Sequence, residues 1–305
     1  MALSTQSILF IWVRLEINII AVLPLLASGD SFFSSELRIK YFISQTIASV
    51  FFLGAYLMLL IFSSTAINLL CGVFILFKLG VPPFHRWLRR IVITGPYLRL
   101  WLVLFVQKFI PLQFLSNLNL SSLSMNMALI LLAFLCVSLV KSISDVRIII
   151  LVSAWVNTSW MILSSVRINI WIIFLIVYGW LLFVALHSLT FFRISKPATL
   201  ASLPSFVKLA FAFNFLNLAG LPPLSGFFIK LYALKLLIIS YSAGLIIILL
   251  ILSLFVLYAY VSVFYYFIRS YHPSQPARVS LLPKLAVANI ACRWVILAPL
   301  FTMLS

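Results

Sequence analysis

Apolar positions in this chain run on for twenty residues and more, and short polar interruptions separate one run from the next. A helix needs ~20 apolar residues to cross a bilayer. Runs of that order fall near 5–27, 36–62, 65–88, 96–116, 121–141, 146–165, 168–193, 203–240, 243–269 and 284–304. The pattern predicts an all-α polytopic membrane protein of about ten transmembrane helices. A β-barrel would show weak alternation over ~10-residue strands instead. The connections are short and leave no room for a soluble domain. The run at 203–240 is nearly twice the needed length, so it is either one interrupted helix or two spans.

Basic residues decide between these. With 203–240 as one span, one side of the membrane carries Arg38, Lys40, Arg86, Arg89, Arg90, Arg99, Lys141, Arg147, Arg193, Lys196, Arg269, Arg278 and Lys284, thirteen in all. The other side carries Arg167 alone. Splitting the segment moves Arg269, Arg278 and Lys284 across and gives ten against four. The positive-inside rule favours the single span, interrupted between Gly220 and Pro223, with both termini on the positive-poor face.

Composition sharpens the class. The chain is 65% hydrophobic and 8% charged, where a soluble domain is about a quarter charged. Its formal net charge is +17. Most basic residues sit between spans, so membrane topology accounts for them and a nucleic-acid partner is not expected. Cys71, Cys136 and Cys292 lie far apart in apolar segments, without metal-ligand spacing. Met1 to Phe10 lacks the charged head and cleavage site of a signal peptide, so the first apolar run is expected to be a retained span.

Two apolar segments carry the same interruption. One reads Lys78-Leu79-Gly80-Val81-Pro82-Pro83-Phe84-His85; the other reads Gly220-Leu221-Pro222-Pro223-Leu224-Ser225-Gly226 and is followed by Lys230. Proline lacks an N–H and clashes with the preceding turn, so both segments should break their helices. The freed carbonyls then need partners from other helices, polar side chains or water. By the span count the two breaks lie in oppositely oriented helices, as an inverted-topology repeat requires. Simple structural kinks are the alternative, since Pro and Gly are tolerated in membrane helices. Paired, broken, charge-bearing helices point instead to an ion path.

Few ionisable groups lie inside the spans. Glu16 is the only acid there; Asp30, Glu36 and Asp145 fall in loops. Arg14 is a poor partner for Glu16, because residues two apart on a helix do not face each other. Lys78, Lys108 and Lys230 lie roughly 8 to 13 residues from the nearer span ends, about 12 to 20 Å along a helix. That is a long reach for a snorkelling stem. Burial disfavours the ammonium and a nearby carboxylate favours it. A group held between these influences can load and release a proton when its partner moves. Inert ion pairs are the structural alternative. Lys208 and Lys235 lie nearer span ends or interfaces, where snorkelling is the simpler reading, and Arg293, in the last span, is open to either reading. His85, after the first Pro-Pro, is a possible relay, and His187 is a candidate for a plain interhelical hydrogen bond. The serines of 121–124 and 153–165 have no nucleophile–base partner. No Gly-rich phosphate loop, haem-ligand pair or cysteine cluster occurs, so the chain is expected to hold no metal and no redox cofactor.

These residues resemble the subunit 2 family of mitochondrial NADH:ubiquinone oxidoreductase, respiratory complex I. The resemblance rests on Lys78 to Trp87, on Asn217 to Lys230 with its Gly220, Pro222, Pro223 and Gly226, and on Trp12-Val-Arg-Leu-Glu16-Ile-Asn18 with Ala21 to Pro24. Lys40 to Ser49 and Gln107-Lys108 also match. It runs in order from residue 10 to about 235. The chain departs from the family at Arg89-Arg90, at Ile148 and at Asn157.

The resemblance implies an antiporter-like fold of two inverted repeats with two broken helices: a shortened first repeat at 5–116, a second at 121–269 and a trailing helix at 284–304. It implies a proton-pumping subunit of the inner mitochondrial membrane, with both termini on the intermembrane-space side. Glu16 and Lys78 would form a charge pair, Lys108 would be a middle relay, and Lys230 would exchange protons toward the positive-poor face. NADH, FMN, iron-sulfur clusters and ubiquinone would be handled by other subunits. The partners would be other complex I subunits, above all neighbouring antiporter-like ones, and membrane lipids. The rival readings are a different antiporter-like chain, from complex I or a cation/proton antiporter, and an independent secondary transporter.

Overall fold

A computed structural model describes residues 8–26, 32–62, 65–117, 145–167, 170–192, 205–222 and 224–269. Every regular element among them is helical. In chain order these are α1 (Ile8–Leu26), α2 (Phe32–Phe62), α3 (Thr65–Leu79), α4 (Arg86–Thr94), α5 (Tyr97–Leu104), a 3-10 turn (Val106–Lys108), α6 (Phe109–Asn117), α7 (Val146–Arg167), α8 (Trp171–Phe191), α9 (Ser205–Ala219), α10 (Ser225–Ser240) and α11 (Ala243–Arg269). The expected spans at 121–141 and 284–304 lie outside the described residues.

Five helical stretches among the described residues are long and apolar enough to cross a membrane: Ser35–Phe62, Tyr97–Ser116, Val146–Ser165, Trp171–Phe191 and Ala243–Val263. Ala66–Leu79 and Val207–Ala219 are apolar but shorter. At 1.5 Å per residue the 31-residue α2 is about 46 Å long, well beyond a hydrocarbon core of ~30 Å. Its surplus lies at the N-terminal end, where Lys40 pairs with Glu36 one turn away. Outward positions of α2 such as Ile39, Ile43, Val50 and Leu57 are exposed and apolar. That suits a helix whose solvent is lipid.

In the run at 65–88, where Pro82-Pro83 were expected to break the helix, α3 stops at Leu79 and α4 starts at Arg86. α4 is amphipathic. Trp87, Leu88, Ile91 and Val92 form its buried face, while Arg86 and Arg90 are exposed. A hydropathy window averages the arginines with their apolar neighbours and reads the stretch as the end of a span followed by a loop.

The chain divides into two compact units. The first comprises residues 1–135 with 161–171. In it α2 is central and packs along α1, α3 and α4, and α6 lies against α1 and α3. Phe114 of α6 meets Phe52 edge to face, ring centroids 4.8 Å apart. The second unit comprises residues 136–160 with 172–305. There α9 and α10 both pack on α11, and Phe215 of α9 stacks on Tyr260 of α11. Tyr260 donates its hydroxyl hydrogen bond to Ser153 Oγ of α7 at 2.7 Å. Along α7 the hydroxyls of Ser153, Thr158, Ser159, Ser164 and Ser165 each bond a carbonyl of their own helix three or four residues back. Serine and threonine can therefore be buried on this helix without leaving a polar atom unpaired.

Candidate functional site

Both Gly-x-Pro-Pro segments fold as the same backbone device. At the end of α3 the N–H of Gly80 donates to the carbonyl of Phe77 and that of Val81 to Leu76, at 3.1 and 3.3 Å. At the end of α9 the N–H of Gly220 donates to Asn217 and that of Leu221 to Leu216, at 3.1 and 3.2 Å. This is a Schellman cap, and it needs a left-handed residue at its first post-helical position. Gly80 and Gly220 take that conformation, with φ of 66° and 81°. A turn then closes in equivalent register, Phe84 N–H to Val81 carbonyl at 3.0 Å and Leu224 N–H to Leu221 carbonyl at 2.9 Å. The peptide between Pro82 and Pro83 is cis.

What surrounds each turn differs. At the first, Trp87 Nε1 donates to the carbonyl of Phe77 at 3.2 Å. At the second, the side-chain oxygen of Asn217 accepts from the Gly226 N–H at 2.8 Å and from Ser225 Oγ at 3.1 Å. The backbones approach so closely there that a Cβ on Gly226 would overlap the carbonyl oxygen of Asn217.

The three lysines are buried, with exposures of 6% for Lys78, 3% for Lys108 and 9% for Lys230. Lys230 Nζ donates to the carbonyl of Ala219 at 2.7 Å. It thereby satisfies one of the acceptors that the end of α9 leaves open. Lys78 Nζ has no hydrogen-bond partner among the described residues. The half-buried Glu16 carboxylate instead accepts a hydrogen bond from Ser49 Oγ. Lys108 closes the 3-10 turn between α5 and α6, where Phe105 departs from helical geometry (φ −117°, ψ −66°). A short 3-10 stretch inside a long helix often marks a hinge or a strained sequence. His85 is half-buried at the N-cap of α4 and makes no side-chain capping bond.

The first unit thus contains Glu16, Lys78, Lys108 and His85, while Lys230 lies in the second. Sequence reasoning had not assigned roles to four polar residues that link the first set. Tyr41, Gln45 and Ser49 are buried on α2, and at i, i+4 and i+8 they share one helix face. Ser49 bonds Glu16. Gln45 Nε2 reaches the main-chain carbonyl of Lys78 at 3.4 Å. Tyr41 accepts a hydrogen bond from Gln107 Nε2, the residue beside Lys108, and its ring packs against Trp87 with centroids 5.8 Å apart. The four-residue spacing of polar side chains in an apolar run was the available signal.

No protein-family model matches the chain. Comparison with individual proteins is informative. The chain is 30% identical to NADH-ubiquinone oxidoreductase chain 2 of Artemia franciscana over 261 residues, which span 85% of this chain and 83% of that protein. It is 26% identical to the Anopheles gambiae protein of the same description over 245 residues, 75% of this chain and 70% of that one. Among solved structures, a chain of respiratory complex I from Thermus thermophilus, determined with bound aureothin, superposes with a TM-score of 0.78 at 21% identity, covering 97% of this chain and 74% of that chain. A chain of the Mrp complex from Dietzia sp. superposes at 0.76 with 13% identity, covering 99% and 73%. At these identities the likeness to both structures concerns the fold. The Artemia match, strong over most of both proteins, fixes the family: the chain belongs to the NADH-ubiquinone oxidoreductase chain 2 family.

Proposed function

We propose that this chain is a core membrane subunit of respiratory complex I that translocates protons across the mitochondrial inner membrane, coupled to NADH:ubiquinone electron transfer performed by other subunits. One observation carries the reading: Lys78, Lys108 and Lys230 are all buried, and each sits at or beside a departure from regular helix. Buried ionisable groups in a membrane protein are costly and default to function.

In this reading α3 with α4, and α9 with α10, are each one interrupted span of an inverted repeat. The repeats are 5–116 and 121–269, with 284–304 trailing and about ten spans in all. Glu16 favours the protonated ammonium of Lys78 through its charge. Drawing that carboxylate away lets Lys78 release its proton. Lys108 takes the middle position, and Lys230 exchanges protons toward the intermembrane space, where both termini lie. His85, at the first turn, is an additional proton carrier. The glycines and prolines, Gly80, Pro82, Pro83, Gly220, Pro222, Pro223 and Gly226, stop regular backbone bonding at both sites so that polar groups can be met there. No step requires a cofactor in this chain; NADH, FMN, iron-sulfur clusters and ubiquinone belong to other subunits of the assembly. Neighbouring antiporter-like subunits and lipid surround it.

The test is Lys78→Met in the assembled complex, reconstituted into sealed vesicles. Proton uptake per NADH oxidised should fall steeply while the complex still assembles. Normal pumping by that variant would end the relay role. A stand-alone transporter would purify as a single chain rather than within a very large complex.

A further inference from the structure

The strongest feature that the relay leaves unused is the polar face of α2. Tyr41, Gln45 and Ser49 are each less than a tenth exposed. They stand in one line about 12 Å long. A buried polar side chain in a membrane helix is costly unless it is paired. Each of these is paired, and each pairing lands on or next to a different ionisable residue of the first unit. Ser49 holds the carboxylate of Glu16. Gln45 touches the main chain of Lys78, two residues before the left-handed Gly80. Tyr41 takes the amide of Gln107 in the 3-10 turn that ends at Lys108, and its ring packs at a tilt against the Trp87 that bonds the Phe77 carbonyl at the first Gly-x-Pro-Pro turn. Farther along, the same face turns aromatic: Phe52 and Tyr56 pack on Phe114 of α6. One rigid helix therefore touches all three places where proton affinity would have to change.

We propose that the Tyr41–Gln45–Ser49 face of α2 is a positioning array that fixes the distances among Glu16, Lys78 and Lys108, so that a change at one is felt at the next. It rests on the proton-relay reading above and adds these positioning residues to it. Ser49 acts on Glu16 by orienting the carboxylate. With the hydroxyl gone, the carboxylate is free to rotate away from its position relative to Lys78. Tyr41 acts on Lys108 through Gln107 by holding the irregular turn in one conformation. Losing that bond lets α5 and α6 relax toward continuous helix and re-aims the lysine. A hydrogen bond to a charged group is strong enough that losing it changes an equilibrium about tenfold.

The experiment uses the whole complex carrying Ser49→Ala, Ser49→Thr or Tyr41→Phe, with Glu16→Gln as the reference. Four quantities are read: the amount of assembled complex, NADH oxidation by an artificial electron acceptor, NADH:ubiquinone turnover, and protons moved per NADH. The expectation for Ser49→Ala and Tyr41→Phe is normal assembly and normal artificial-acceptor activity, with protons per NADH at least about threefold lower. Ser49→Thr, which keeps the hydroxyl, should restore the ratio. If Ser49→Ala and Tyr41→Phe pump normally while Glu16→Gln does not, the array is wrong and the relay stands. If Glu16→Gln also pumps normally, the relay reading itself falls. A parallel loss of assembly and pumping, unrescued by threonine, would reduce the face to ordinary packing and overturn the proposal.

Discussion

The two Gly-x-Pro-Pro turns share their capping bonds and differ in what surrounds them. Each has the same pair of capping bonds, the same left-handed glycine and the same closing turn. At the first, Trp87 adds a second hydrogen bond to the Phe77 carbonyl that Gly80 already caps, and a Cβ on Gly80 would meet Trp87 and Leu88 side-chain atoms at 2.9 Å. The second is closed by the side-chain oxygen of Asn217, which takes the Gly226 N–H and the Ser225 hydroxyl, and by the ammonium of Lys230. Its lysine is part of the seal, whereas the first turn's lysine stands beside the seal with no hydrogen bond from its ammonium among the described residues. Sequence motif dictates the backbone; what the lysine can do is set by which atoms remain for it to bond.

That difference can be broken at its strongest point first. Gly226→Ala pushes a methyl into the Asn217 carbonyl, a backbone atom that cannot step aside. The expected cost is about 3 kcal/mol or more, read as loss of assembled complex on native gels. Gly80→Ala and Gly220→Ala each force a side chain into the left-handed region, at about 1–2 kcal/mol. Gly220→Ala should be the milder, because its nearest contacts begin at 3.0 Å on the Lys230 side chain, while a Cβ on Gly80 comes within 2.9 Å of the Trp87 ring and Leu88. Midpoint temperatures of the purified complex would rank them.

Lys230→Met strands the carbonyl of Ala219, so it should lower stability by about 1–3 kcal/mol as well as impair pumping. Lys78→Met removes an ammonium with no hydrogen bond among the described residues, so it should impair pumping with a smaller loss of thermal stability than Lys230→Met. Equal destabilisation by the two lysine variants would erase the distinction between the turns. The smallest effect belongs to Trp87→Phe, which keeps most of the ring packing and loses one hydrogen bond, at about 1 kcal/mol.

Much of the first turn was legible from Gly80 and the two prolines, because a residue without a Cβ and a residue without an N–H each restrict the backbone locally. The same holds for Gly220. Glu16 and the three lysines stood out because charge is rare in apolar runs. Other features were not legible for physical reasons. Phe105 to Lys108 contains neither Gly nor Pro, so nothing local announces the 3-10 turn; it arises where Tyr41 and Gln107 meet, sixty-six residues apart. The helix Arg86–Thr94 carries its signal as a one-sided pattern, and average hydropathy erases that. Ser49 and Gln45 look like ordinary tolerated polar residues until the helices carrying Glu16 and Lys78 are packed beside them.

The hydroxyls of α7 bear on how this sequence is free to drift. Five of them are already committed to the helix that carries them. Exchange of Thr158, Ser159, Ser164 or Ser165 for alanine should leave no orphaned acceptor, so those positions can wander over generations at little expense. Ser153 is tethered by a second tie, since the phenol of Tyr260 leans on it, and the two ought to change together or not at all.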